Sequence, residues 1–133
     1  MRKAKLIEFP QHGDEKGYLV VIEEKLDVPF EIKRVFYIYG SQRDALRGKH
    51  ANRKSEFMLI NVSGTSKVRV DYGNSTEEFD LNRAHVGVYI PKMVWKEMFD
   101  FSEDSVLLVL CSELYDPDEY IRDKAVYYSE VNQ

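Results

Sequence analysis

The chain has 133 residues, 44% of them hydrophobic and 13% aromatic, and a formal net charge of −4. That is the length of one domain with apolar material enough for a core, and the acidic balance argues against nonspecific nucleic-acid binding as its main task. No apolar run reaches transmembrane length, Met1 to Leu6 lacks the apolar segment of a signal peptide, and the lone Cys111 excludes an intrachain disulfide, so no membrane partner and a cytoplasmic location are expected.

In chain order, residues 5 to 9 form a short apolar piece ending at Pro10, and Gln11 to Gly17 reads as a turn that leaves His12 on the surface. Tyr18 to Ile22 is a strand. Phe30 to Gly40 is another, rich in β-branched and aromatic residues. Alternation puts Lys33, Val35, Tyr37 and Tyr39 on one face and Arg34, Phe36 and Ile38 on the other. Both faces carry a cation and aromatics, so the pattern alone does not say which is inside.

A polar loop leads to Arg47–Glu56, and Phe57 to Val62 then reads as a buried strand. Ser66 to Tyr72 alternates strictly, with Lys67, Arg69 and Asp71 facing one way and Val68, Val70 and Tyr72 the other. Gly73-Asn74 closes a hairpin onto Thr76 to Leu81. Val86 to Pro91, Lys92 to Phe99 and Ser105 to Ser112 supply three more strands. Asp116-Pro117 suits a helix entry, with the carboxylate capping and proline in the first helical position. The tail from Tyr120 to Asn132 reads as a short helix or docked extension. Eight or nine short strands with glycine and asparagine turns indicate an all-β, antiparallel sandwich or barrel in one domain. The mouth of such a barrel has room for one small ligand.

The segment from Arg47 to Glu56 concentrates the chemistry. His50, Asn52 and Glu56 are separated by even steps, so on a strand they share one face. Polar groups on the inner face of a barrel are expensive to bury unless something uses them. His50 titrates near neutrality when unperturbed, which makes it the natural proton-transfer group. Arg47, Arg53 and Lys54 suit a phosphate. Tyr37, Tyr39 and Trp95 offer flat faces to a base or sugar, and Arg34 and Glu56 complete the set expected to bind substrate. Each has a plainer reading too: lone strand histidines are mostly structural, basic clusters mostly solvated, and a tryptophan is more often core than platform.

The spacing His50-Ala51-Asn52, then Glu56, resembles the metal motif of cupins, small jelly-roll barrels that place His-x-His and a glutamate near one another. Here the second position is asparagine, a poor transition-metal ligand, and Pro91 to Lys96 holds no histidine. His85 would have to reach inward from a loop. The expectation is a cupin-type jelly roll with no metal and no cofactor.

Longer segments narrow the resemblance. Gly13-Asp14-Glu15-Lys16-Gly17-Tyr18-Leu19, Val28-Pro29-Phe30-Glu31-Ile32-Lys33-Arg34-Val35-Phe36-Tyr37-Ile38, Arg47-Gly48-Lys49-His50-Ala51, Val86-Gly87-Val88-Tyr89-Ile90 and Ser112 to Asp123 occur in order. Together they resemble the bacterial sugar 3,4-ketoisomerases acting on dTDP-4-keto-6-deoxyglucose. The resemblance implies a metal-independent cupin barrel working as a homodimer, often with N-terminal strands exchanged. It also implies that a carbonyl moves from C4 to C3 through an enediol, supplying keto sugars for 3-amino-dideoxyhexoses. His50 matches the family's base, and Arg47 and Tyr37 stand where a donor would stabilise the enediolate or relay a proton. The family pattern has His-Ala-His where this chain has Asn52, and histidine after the tryptophan where it has Lys96. A 3,5-epimerase of the same nucleotide sugar and a non-catalytic nucleotide-sugar binding module stay open as alternatives.

Overall fold

The alternating pattern folds into strands almost throughout, as seen in a computed structural model that describes residues 2–133. In chain order the strands are β1 (Lys5–Glu8), β2 (Gln11–Asp14), β3 (Gly17–Val20), β4 (Arg34–Tyr39), β5 (Arg47–Asn52) and β6 (Phe57–Ser63). They continue as β7 (Ser66–Asp71), β8 (Thr76–Leu81), β9 (Val86–Ile90), β10 (Trp95–Phe99), β11 (Val106–Cys111) and β12 (Tyr120–Ile121). A 3-10 turn at Pro117–Glu119 precedes β12, and one helix, α1 (Lys124–Val131), closes the chain. The turn expected from Gln11 to Gly17 is instead half of a two-stranded hairpin, β2 on β3. Strand β10 begins only at Trp95, after a turn at Lys92-Met93.

The strands form two five-stranded antiparallel sheets, ordered β1-β9-β6-β11-β4 and β12-β5-β10-β7-β8, the jelly-roll barrel expected of the sequence. Phe57 and Leu59, Val68 and Val70, Val88 and Ile90, and Leu107 and Val109 meet between them as one cluster. Full burial of such a side chain stabilises the fold by about 1.5–3 kcal/mol. The first sheet's outer face carries Met58, Ile60, Tyr89 and Leu110, covered by Phe9, Val28 and Phe30. The second sheet's outer face is covered differently. Ala51, Trp95 and Ile121 lie under Tyr127 of α1, whose first turn is capped by the Asp123 carboxylate.

Strand β5 contains the irregularity that matters for function. Arg47 stands opposite Met98, Gly48 opposite Glu97 and His50 opposite Lys96, so Lys49 is an extra residue without a partner. Gly48 and Lys49 have φ of 84° and 61°, a left-handed pair that glycine enters freely and lysine does not. The bulge shifts the alternation by one residue. Arg47 and His50, an odd number of steps apart, therefore share the barrel's inner face.

Candidate active site

The site is built where one end of β5 and β10 faces β4 and β11. His50 and Asn52 point inward from β5, and Lys96 points inward from β10 over the Phe57 ring, 4.1 Å from its centroid. From the opposite sheet Arg34, paired with buried Cys111, points toward them. Strand β12 closes the gap between the sheets: Tyr120 pairs with Asn52, its ring meets His50 edge-on at 4.7 Å, and its hydroxyl accepts from Arg34 at 3.3 Å. Tyr115 and Phe36 flank the Arg34 guanidinium, and Arg122 lies over the other side of Tyr120.

Hydrogen bonds connect the members of this group. His50 Nδ1 lies 3.0 Å from Asn52 Oδ1, and Lys96 Nζ lies 3.1 Å from the same oxygen and 3.4 Å from His50 Nδ1. Burial first, then the charges of Lys96 and Arg122, lower the His50 pKa to about 3, opposed only by the Asn52 bond. Burial likewise lowers Lys96 to about 7, with Glu119 and Cys111 partly offsetting it. Glu119 is the buried carboxylate of the group. It accepts from the Lys54 and Ser55 amides at 2.9 Å each and from Ser55 Oγ. Burial acts to raise its pKa, and these donors outweigh it and hold the carboxyl below its ordinary value.

This set does not fit a divalent metal. The positions that resemble the cupin motif supply one imidazole, one amide oxygen and, from β10, an ammonium that donates into the space the ligands would share. A lysine amine stands where the motif would hold the ion.

The fold brings together only part of the residues expected at the site. His50, Asn52 and Arg34 converge, and Arg47 lies further along the same face with its Nε donating to Ser41 Oγ at 3.1 Å. Tyr37 and Tyr39 do not converge. Phe36 and Ile38 take the inner face of β4, so the two tyrosines stack on each other outside the barrel, 62% and 69% exposed. Trp95 is corrected as well. It is one residue out of phase with Lys96, buried under α1 with its Nε1 donating to Glu97, and has no face free for a ligand. Glu56 fails to follow His50 because β5 ends at Asn52 and the chain turns into the other sheet. Its carboxylate accepts from the Tyr89 hydroxyl on the outer surface and pairs with Arg2 at 3.5 Å. Lys54 pairs with Asp116. Lys54 and Glu56 line a separate surface cleft of about 340 Å³ with Arg2, Pro91, Lys92 and Met93. Tyr120 and Glu119 were not singled out as site residues from the sequence, although both lie in a segment that resembles the ketoisomerases. Lys96 drew notice only as a departure from the pattern.

Residues 2–132 match the model of the FdtA family, described as WxcM-like, C-terminal. The chain belongs to that family. It is 44% identical over 118 residues to the TDP-4-oxo-6-deoxy-alpha-D-glucose-3,4-oxoisomerase of Aneurinibacillus thermoaerophilus, covering 89% of this chain and 85% of that protein. A crystal structure of a mutant of the 3,4-ketoisomerase QdtA from Thermoanaerobacterium thermosaccharolyticum, in complex with TDP-4-keto-6-deoxyglucose, superimposes with a TM-score of 0.95 at 42% identity, over 99% of this chain and 96% of that one. The TDP-fucose-3,4-ketoisomerase WlaRA of Campylobacter jejuni gives 0.93 at 38% identity, over 98% and 97%. Membership in this family of TDP-sugar 3,4-ketoisomerases makes the chain an isomerase. Among the described residues no helix is long and apolar enough to cross a membrane.

Proposed function

We propose that the protein isomerises TDP-4-keto-6-deoxyglucose to the 3-keto sugar, with His50 as the carbon acid–base. The observation that supports this most directly is His50 itself: an imidazole on the inner face of the barrel, held neutral by burial and by two cations, with no other histidine beside it. A neutral imidazole in water-poor surroundings is ready to take a proton at any pH near 7. The anionic diphosphate of the substrate, once bound, would draw its pKa back up toward a useful value.

The reaction balances without an outside oxidant. His50 removes the proton from C3, the C3–H electrons form the C3=C4 double bond, and the C4 carbonyl oxygen takes the charge. The proton of the C3 hydroxyl passes to the neighbouring C4 oxygen, the carbonyl re-forms at C3, and the His50 imidazolium delivers its proton to C4. Because C3 and C4 are adjacent, one imidazole suffices to accept and return it. Negative charge develops at the C4 oxygen, and the Arg34 guanidinium and the Lys96 ammonium are the inward-facing cations that lower its energy. Arg47, on the same face beyond the bulge, is assigned to the diphosphate. The working unit in this reading is a homodimer, supported by the β2–β3 hairpin, which projects with Tyr18 and Leu19 exposed, and by the uncovered aromatic face of Tyr37 and Tyr39.

The test is incubation with TDP-4-keto-6-deoxyglucose in deuterated water. A 3-keto product is expected, carrying deuterium at C4 in the fraction of turnovers in which the imidazolium exchanges with solvent before returning its proton, and His50→Asn should lower the rate by about 10²–10⁴-fold with the fold intact by circular dichroism. Deuterium at C3 and C5 with the ketone still at C4 would make the protein a 3,5-epimerase. Binding of TDP without turnover would make it a binding module.

A further inference from the structure

Asn52 and Lys96 are the two side chains that meet His50 Nδ1 inside the barrel. Lys96 is opposite His50 across the β5–β10 ladder and only 3% exposed. Its ammonium has three hydrogens and no lone pair, and it lies 3.1 Å from Asn52 Oδ1. An amide oxygen only accepts. The Lys96 contact therefore decides which end of the Asn52 amide is turned toward β10 and the histidine, and that end is the oxygen. On its other side the amide nitrogen is turned toward the Glu119 carboxylate, without a bond of full geometry, and an acceptor there favours the same orientation.

His50 Nδ1, 3.0 Å from an oxygen that has no hydrogen to give, must then carry the hydrogen of the neutral ring. The other ring nitrogen, Nε2, is left with the lone pair. We propose that Asn52, turned by Lys96, is the positioning residue that fixes the tautomer of His50 and so presents Nε2 to the sugar as the base. This deepens the reading of His50 as the carbon acid–base and rests on it. The charged and titratable groups facing the pair are His50 from β5, Lys96 from β10, Cys111 from β11, Arg34 from β4, and Glu119, Tyr120 and Arg122 from the C-terminal segment. Within this group only Lys96 competes with Asn52 for Nδ1, at 3.4 Å.

That competition gives the proposal a signed test. Replacing Asn52 by leucine removes the acceptor while keeping the volume. The Nδ1 nitrogen is left with the Lys96 ammonium as its neighbour and must now accept, which moves the ring hydrogen to Nε2. The base would be blocked at the atom it uses. The ¹⁵N spectrum of histidine-labelled protein at pH 6, where Lys96 is an ammonium and His50 is neutral, reads the tautomer directly, with His50 identified by its absence in His50→Asn and so separated from His12 and His85. The wild type is expected to be Nδ1–H. Asn52→Leu is expected to be Nε2–H, with kcat lowered on the order of 10²–10⁴-fold and KM changed less than threefold. Adding Lys96→Met to Asn52→Leu should bring back part of the Nδ1–H form and part of kcat. A wild-type ring hydrogen on Nε2 overturns the proposal, even where the variants fail to fold. An Nδ1–H signal and an unchanged kcat in Asn52→Leu overturn it equally. Absence of isomerase turnover by a wild type that is Nδ1–H would instead strike at the assigned reaction and leave the tautomer assignment standing.

Discussion

His50 and Lys96 are two bases that folding forces toward their neutral forms, and this makes the protein's stability depend on pH in a predictable direction. For His50 the folded pKa of about 3 lies below its ordinary 6.5, so between those values the unfolded chain binds more protons. Stability is full above pH 6.5 and lost as pH falls toward 3. His50→Asn should flatten that part of a denaturation series measured from pH 7 to 4. For Lys96 the folded value of about 7 lies below 10.5, so stability rises as pH goes from 7 to 10.5. Lys96→Met removes a buried ammonium, and such replacements often stabilise. The variant should melt higher than the wild type at pH 6, by a margin that shrinks toward pH 10.5. A wild type and variant with equal melting temperatures at pH 6 would show that the ammonium is solvated. A higher melting temperature for the variant would mean that lysine stands at position 96 at the expense of stability.

Among the elements, the short segment from Asp116 to Ile121 does more than its length suggests. The Asp116 carboxylate caps the 3-10 turn, Glu119 is buried beneath it, and β12 adds only two residues to the sheet edge. Yet this segment closes the site, since it places Tyr120 against His50 and Glu119 below Lys54 and Ser55. Glu119→Ala would leave two amides and a hydroxyl without their acceptor in a place water does not reach. A loss of about 3 kcal/mol is expected by urea denaturation at pH 7. Because the Glu119 carboxyl is held below its ordinary 4.5, its contribution is present above that pH and lost as the solution is acidified through the lower folded value. Asp123→Ala, which removes only the cap of α1, should cost about 1 kcal/mol under the same conditions. Equal losses for the two variants would mean that Glu119 is no more than a surface cap.

At the scale of the whole molecule, the two sheets differ in what they leave uncovered. Helix α1 seals the outer face of one, but Val35, Tyr37 and Tyr39 along β4 remain open on the other, as do Tyr18 and Leu19 of the hairpin. Exposed apolar area of that kind is what a subunit interface uses. Sedimentation at micromolar concentration should give a dimer. The double variant Tyr18→Asp/Leu19→Asp should shift it to monomer while the barrel's own melting transition survives, because neither side chain enters the core. A wild-type monomer at that concentration would remove the dimer from the proposed function.

The fold and the inward-facing pair His50 and Asn52 were legible in the chain because both depend on local patterns. Strict alternation in Ser66 to Tyr72 and an apolar run in Phe57 to Val62 specify strands whatever lies beyond them. Even spacing is enough to set Asn52 beside His50 on one face, and an asparagine in the second position is enough to make a metal a poor fit. Elsewhere local rules stop short. Alternation could not say whether Tyr37 or Phe36 faces inward, since each face of β4 carries a cation and aromatics, and only the opposing sheet decides between them. It set Glu56 beside His50 because nothing in the spacing marks the turn after Asn52. It separated Arg47 from His50 because a bulge at Gly48-Lys49 is invisible to a period of two. Lys96 and Tyr120 reach the site from strands 46 and 70 residues away in sequence from His50, and their role depends on a distance across a barrel. Of the cluster from Arg47 to Glu56, the histidine and the asparagine share the barrel's inner face, as their spacing implies. Which other groups complete it was settled by the packing of two sheets, where side chains far apart in sequence are brought within a few ångströms.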